Sequence, residues 1–232
     1  MVSGSDIHII IVAAGTGTRF GSEIPKQFIP VAGRPLLIRT LNSMRKACPG
    51  AGITVVLSEE RADYFKDICR KTCTALPLIA FGGTSRWESV RNGLSSVPES
   101  ARVILVHDGA RPFPSARLIE ALLQAVAEGG FDGAVPALPV TDSLRCEYAD
   151  GTSQAVNRTP LRAVQTPQAF QAPLLKEAYR LPFDSSFTDD ASVMEAAGHV
   201  RLAITPGEPT NIKVTRPADL TVAEAFIAAG LI

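Results

Sequence analysis

The residues best placed to do chemistry are Ala13-Ala14-Gly15-Thr16-Gly17-Thr18-Arg19-Phe20-Gly21, with Pro25-Lys26-Gln27 close behind. Gly15 and Gly17 let the backbone turn tightly and approach a ligand with no Cβ in the way. Backbone N–H groups of such a loop can converge on phosphate oxygens. Arg19 and Lys26 add two cations, suited to a polyphosphate whose charge must be neutralised for attack at phosphorus. The third glycine, Gly21, falls one position late for the dinucleotide fingerprint G-x-G-x-x-G, and no G-x-x-x-x-G-K-[ST] occurs. A glycine turn with two solvated cations is the alternative reading.

Other candidates lie far along the chain. Asp108 closes an apolar run, which places its carboxylate where a strand ends and a ligand can sit. There it could hold a divalent cation or a ribose hydroxyl, or simply cap a helix. Lys213 lies in Asn211-Ile212-Lys213-Val214-Thr215, which reads as a short strand, so its side chain opposes Ile212 and Val214. A solvated lysine is the plainer alternative. Arg158 could equally be a structural ion-pair partner. Thr188, Asp189 and Asp190 could cap a helix, and Arg86 and Ser89 could belong to a helix start. His107-Asp108 is not a hydrolase pair, because strand neighbours point to opposite faces. No G-x-S-x-G elbow is present.

The elements that position these residues alternate. Apolar or β-branched runs read as strands at Ile7–Val12, Ile53–Leu57, Leu78–Phe81, Val103–His107, Ala134–Leu138 and Val200–Ile204. Helical spacing appears at Pro35–Ala47, Glu59–Thr72, Arg86–Ser95, Ala116–Glu128, Leu174–Arg180, Asp190–Ala197 and Ala218–Ala228. This order predicts an α/β fold, a Rossmann-like three-layer sandwich around a mainly parallel twisted sheet, with ligands beyond the strands' carboxyl ends. From about 140 to 164 the alternation breaks, and Asp150-Gly151 signals a hairpin. We read this stretch as a β-hairpin arm; a lone ribbon is marginal, so a second subunit is its natural support. The simplest count is one domain over residues 1–232, with a dimerisation arm.

Composition excludes several classes. The 232 residues are 46% hydrophobic and 20% charged, with 23 Lys plus Arg against 23 Asp plus Glu. A neutral balance argues against a nucleic-acid or membrane-surface footprint, while leaving room for a local cationic pocket. Cys48, Cys69, Cys73 and Cys146 form no CxxC pair, and His8, His107 and His199 are scattered. Free thiols in a reducing cytosol are the expectation. The first residues lack a basic region, and the nearby apolar run is too short for a signal or membrane segment, so a cytoplasmic protein is expected.

Taken together, the motifs resemble those of the 2-C-methyl-D-erythritol 4-phosphate cytidylyltransferases of the non-mevalonate isoprenoid pathway. The resemblance rests on AAGxGxR followed by PKQ, Gly82-Gly83-Thr84-Ser85-Arg86-Trp87-Glu88-Ser89-Val90 with Asn92-Gly93-Leu94, and His107-Asp108-Gly109-Ala110-Arg111-Pro112-Phe113. It continues through Gln165-Thr166-Pro167-Gln168-Ala169-Phe170, Thr188-Asp189-Asp190-Ala191-Ser192 and Asn211 to Pro217. The resemblance implies transfer of CMP from CTP to methylerythritol phosphate, with Mg²⁺ and a homodimer whose arms exchange. It implies that Arg19 and Lys26 stabilise the transition state, and that Arg158 and Lys213 orient the acceptor. Substrate contacts are expected at Ala13, Ala14, Gly15, Thr16, Gly17, Gly83, Thr84, Ser89, Asp108, Gly109, Arg111, Ser143, Thr166 and Thr188, with Asp108 the one metal candidate. Thr84 stands where an acidic residue can occur, and Ser143 where a threonine can occur. The alternatives are a ribitol 5-phosphate cytidylyltransferase, against which Ala13-Ala14-Gly15 and HDGARPF speak, or a non-catalytic nucleotide-binding paralogue.

Overall fold

The computed structural model describes residues 3–15 and 25–232. Its centre is β1 (Ile7–Val12), whose run of Ile residues alternates between two buried faces. Ile9 and Ile11 pack on one side with helices α1 (Leu36–Ala47), α2 (Ala62–Lys71) and α4 (Ala116–Ala127). Ile10 packs on the other with α3 (Arg86–Leu94), α5 (Ala172–Ala178) and α6 (Asp190–Ala196). Two helical layers over one sheet make the expected sandwich.

Strand β1 lies between β4 (Gly52–Leu57) and β6 (Val103–Asp108), parallel to both. Beyond β4, β5 (Leu78–Phe81) forms one edge. On the far side of β6 comes β11 (Gln168–Gln171), antiparallel to β6 and to β7 (Gly133–Pro139). Strand β10 (Arg162–Val164) continues along the same side of β7, and β12 (Leu202–Pro206) pairs parallel with the other side. A small hairpin joins β2 (Pro30–Val31) to β3 (Arg34–Pro35). The last helix, α7 (Pro217–Ala228), packs through Ala223 against Val31, Leu36 and Val214.

The chain leaves β1 toward β4 but leaves β6 toward β7, so the loops at their carboxyl ends diverge. That is the switch point where α/β sheets open a crevice. Register sets Val12 opposite Asp108, which brings the exit of β1 beside the last residue of β6.

The elements differ most from the sequence reading in four places. The first is β11, a strand of the central sheet that the sequence reading did not name. The arm is smaller: its hairpin is β8 (Leu144–Glu147) with β9 (Ser153–Val156), turning at Gly151 with φ +81. Residues 162–164 instead return to the main sheet as β10. The last sheet strand starts two residues later than expected, because Val200 is 72% exposed and precedes it. Residues 211–215 form no strand; Val214 N–H donates to Ala110 O, but Asn211 is turned inward to donate to Thr166 O.

Candidate active site

A cleft of about 370 Å³ opens at the carboxyl ends of β1 and β6. Ala13, Ala14 and Gly15 form one wall, immediately after β1. The wall is pinned by backbone: Ala13 N–H donates to Val56 O at 2.8 Å, and Gly109 N–H donates to Val12 O at 2.9 Å. Gln27, buried beside it, donates from Nε2 to Ala13 O at 3.2 Å.

The opposite wall is the turn from β5 into α3. Gly82 is required there, since a Cβ would lie 2.3 Å from the Ala14 Cβ and 2.9 Å from Ser89 Oγ. Ser89 Oγ accepts from Gly83 N–H at 3.2 Å and donates to Ser85 O at 2.9 Å, so its hydroxyl shapes this turn. Ser85 caps α3 by accepting from Glu88 N–H. Thr84 has an acidic neighbour after all: Glu88 Oε2 accepts from its N–H at 2.7 Å and its hydroxyl at 2.9 Å. Those bonds, the backbone one first, hold the Glu88 carboxyl below its usual range.

Charge is concentrated at the floor. Asp108 Oδ2 lies 2.7 Å from Lys213 Nζ and 3.9 Å from Arg111 Nε, and Oδ1 lies 3.4 Å from Arg86 Nε. Burial alone would raise the Asp108 pKa, but Arg86 and then Lys213 outweigh it and hold the carboxyl ionised far below its usual range. Lys26 donates from Nζ to Val214 O at 3.3 Å across the cleft. Among the described residues, the cations lining the cleft (Lys26, Arg86, Lys213) therefore outnumber the lining carboxylate, Asp108. In a chain of zero net charge, that local surplus suits a polyanion.

Behind Asp108 the hydrogen bonds run in one direction. Asp108 N–H donates to Thr166 Oγ1. Because a carbonyl, Arg111 O, can only accept from Nε2 of the neutral His107, the Thr166 hydroxyl donates to His107 Nδ1 at 3.1 Å. His107 then carries its proton on Nε2 and donates to Arg111 O at 2.9 Å. Burial pushes this imidazole down to about 4, so it is neutral at pH 7.

Several expected site residues meet here: Ala13, Ala14, Gly15, Lys26, Gly83, Thr84, Ser89, Asp108, Gly109 and Lys213 all line the cleft. Thr166 and Arg111 stand behind it instead. Thr166 supports the Asp108 backbone, and Arg111 donates from Nη1 to Asn211 O at 2.8 Å. Thr188 is exposed before α6, where its N–H donates to Ser192 Oγ. Ser143 and Arg158 are exposed on the arm, and Arg158 Nη1 donates to Thr141 O. Thr16, Gly17 and Arg19 lie outside the described residues. The cleft also contains Arg86 and Gln27, to which the sequence reading gave no individual role.

Among the described residues no three His, Cys, Asp or Glu side chains cluster as a metal site. One carboxylate of those residues, Asp108, faces the cleft. That donor set fits a cation that arrives with phosphate ligands of its own, as Mg²⁺ commonly does, and not an all-protein site. Among the described residues, no helix is long and apolar enough to cross a membrane.

Known proteins are similar to this chain in sequence and fold. A family model for 2-C-methyl-D-erythritol 4-phosphate cytidylyltransferase matches residues 7–229. The protein of that name from Bacteroides thetaiotaomicron is 40% identical over 220 residues, covering 94% of this chain and 98% of its own. The crystal structure of the Thermus thermophilus protein of the same name superposes with a TM-score of 0.75 at 34% identity, covering 95% of this chain and 98% of that one. The 4-diphosphocytidyl-2C-methyl-D-erythritol synthase of Anaerococcus prevotii superposes with a TM-score of 0.80 at 28% identity, covering 97% and 100%.

Proposed function

This chain belongs to the 2-C-methyl-D-erythritol 4-phosphate cytidylyltransferase family, and from that premise we infer how its cleft carries out the transfer. The enzyme moves CMP from CTP to 2-C-methyl-D-erythritol 4-phosphate, releasing pyrophosphate and forming 4-diphosphocytidyl-2-C-methyl-D-erythritol for isoprenoid precursor synthesis. The observation that carries the mechanistic reading is the cationic surplus of Lys26, Arg86 and Lys213 around Asp108.

In this reading the wall from Ala13 to Gly15 and the turn from Gly83 to Ser89 hold the nucleotide. The acceptor's phosphate oxygen attacks the α-phosphorus of CTP, and pyrophosphate leaves. That phosphate is already ionised at neutral pH, so no general base is needed. The neutral, fully buried His107 is consistent with this, because it is committed to Thr166 and Arg111 O. Lys26, with Arg19, stabilises charge building on the transferring phosphate, while Lys213 and Arg158 orient the acceptor. Mg²⁺ would be held mainly by the triphosphate with Asp108 as its protein ligand, and it would neutralise phosphate charge. Lys213 would then exchange Asp108 for the acceptor phosphate. We further propose a cytoplasmic homodimer of single-domain subunits in which the arm reaches the partner's cleft.

A substrate panel tests the assignment: four nucleoside triphosphates against methylerythritol phosphate and ribitol phosphate, followed by pyrophosphate release. A pocket built for cytosine must satisfy its exocyclic amine, which a uracil carbonyl would mismatch. CTP with methylerythritol phosphate should exceed every other pair. Comparable use of ATP or GTP, or a preference for ribitol phosphate, would overturn the reading.

A further inference from the structure

Arg86 opens α3 at the cleft wall, and its guanidinium is gripped from behind. Nη1 and Nη2 donate to Asp190 Oδ1 and Oδ2 at 3.0 and 2.7 Å, leaving Nε toward Asp108 at 3.4 Å. Asp190 is fully buried, and Tyr179 Oη donates to its Oδ1 at 2.6 Å. Burial first, then the Asp190 charge, push the Tyr179 phenol well above its usual value, so it remains a donor.

Helix α6 has anchors besides this triad. That helix is capped by Asp189, which accepts from Ser192 N–H. Its N-terminus is tied to β11 by Gln168, which donates to Asp189 Oδ2 at 2.8 Å and accepts from Ala191 N–H at 3.1 Å. Nor is a buried ion pair an efficient source of stability, since desolvation consumes most of its Coulombic gain. What the pair does provide is direction. Two parallel hydrogen bonds fix the plane of a guanidinium, and a third donor fixes the carboxylate that receives them. The Arg86 side chain remains 30% exposed, on the side facing the cleft.

We propose that Asp190 and Tyr179 are positioning residues for nucleotide binding, holding Arg86 in one orientation at the cleft wall. The proposal rests on the cytidylyltransferase reading and extends it to two residues outside the cleft. Arg86 is the group that meets the triphosphate, and Tyr179 acts on it at second hand through Asp190. A change at Tyr179 should therefore be felt only while Arg86 is present to transmit it.

The test is a double-mutant cycle on the full chain, comparing wild type, Tyr179→Phe, Arg86→Lys and the double variant. Steady-state constants for CTP and methylerythritol phosphate are measured well below each variant's Tm. Tyr179→Phe should lower kcat/KM for CTP by about fivefold to tenfold, with the KM for methylerythritol phosphate within about twofold. In the Arg86→Lys background the same change should cost less than about twofold. A lower Tm with unchanged constants, or an equal loss in both backgrounds, would overturn the proposal. Asp190→Asn goes through the same cycle and is judged by the same outcomes, so a poorly folding Tyr179→Phe does not remove the test. A wild type that releases no pyrophosphate from CTP and methylerythritol phosphate would defeat the functional reading itself. An active wild type with an indifferent Tyr179→Phe would defeat only this proposal.

Discussion

The cleft and the arm are built on opposite physical terms. At the cleft floor, Asp108 is 8% exposed and surrounded by Arg86, Arg111 and Lys213, and the groups behind it donate in a single order. On the arm every residue of β9 is exposed, and Tyr148 and Val156 leave 47% and 37% of their surface in solvent. The cleft is determined by its own chain. The arm has two strands, one turn and little to pack on, and such a ribbon is marginal unless something covers it. The two expected acceptor ligands divide accordingly: Lys213 is already at the cleft, whereas Arg158 bonds to Thr141 O within the arm. The difference supports the proposal that Arg158 joins the acceptor site only on assembly.

The largest expected effect lies in the cleft. Lys26→Ala should lower kcat by roughly 10²–10³, the scale for losing one preorganised charge-stabilising group. Its Tm should move by only about 2–4 °C, because Lys26 is partly exposed and its hydrogen bond to Val214 O is modest. Activity within twofold of wild type would remove Lys26 from the mechanism.

Acid should act on the central sheet that carries the cleft before it acts on the arm. His8 and His107 are each held down to about 4, by burial first, from an ordinary value of 6.5. Between those values the unfolded chain binds more protons than the folded one, so stability falls as pH drops from 6.5 toward 4. Asp108, whose carboxyl is held below its usual range, adds its loss only below the ordinary carboxylate range. The two rings together amount to several kcal/mol, or a fall in Tm on the order of 10 °C. Thermal melts from about pH 7 to about pH 4.5 check this, and His8→Asn should flatten the slope. A Tm indifferent to pH over that range would contradict the buried neutral rings.

The smallest effect belongs to the arm's tip. Asp150 Oδ1 accepts from Thr152 N–H at 2.9 Å and from its hydroxyl at 2.7 Å, a contact confined to an exposed turn. Asp150→Ala should leave Tm within about 2 °C and activity within about twofold. A large loss would mean that the tip itself touches substrate or partner.

Much of this was legible in the sequence for a local reason. Continuous apolar runs such as Ile7–Val12 have nowhere to go but a sheet covered on both faces, and the glycine loop follows the first of them. What escaped depends on distant pairing. Residues 162–164 read as part of the arm because nothing local reveals that they pair with Ala137 to Pro139. Residues 211–215 read as a strand because Ile212 and Val214 alternate with Lys213, yet Asn211 is drawn inward by Thr166 O. Arg86 read as a helix start, which it is, but its pairing with Asp190, a distant residue in the chain, had no local signal. Thr166 and Arg111 carried a motif's signature without showing that they stand behind Asp108.

Complementation between subunits tests the division between cleft and arm most directly. Lys26→Ala damages the cleft and Arg158→Ala damages the arm, so each homodimer should be nearly inactive. If an arm completes its partner's cleft, a heterodimer carries one intact site and one doubly damaged site. Statistical exchange makes about half the dimers heterodimers, so pyrophosphate release from CTP and methylerythritol phosphate should recover to roughly a quarter of wild type. No recovery after verified subunit exchange would contradict the account, placing Arg158 in its own chain's site or in none.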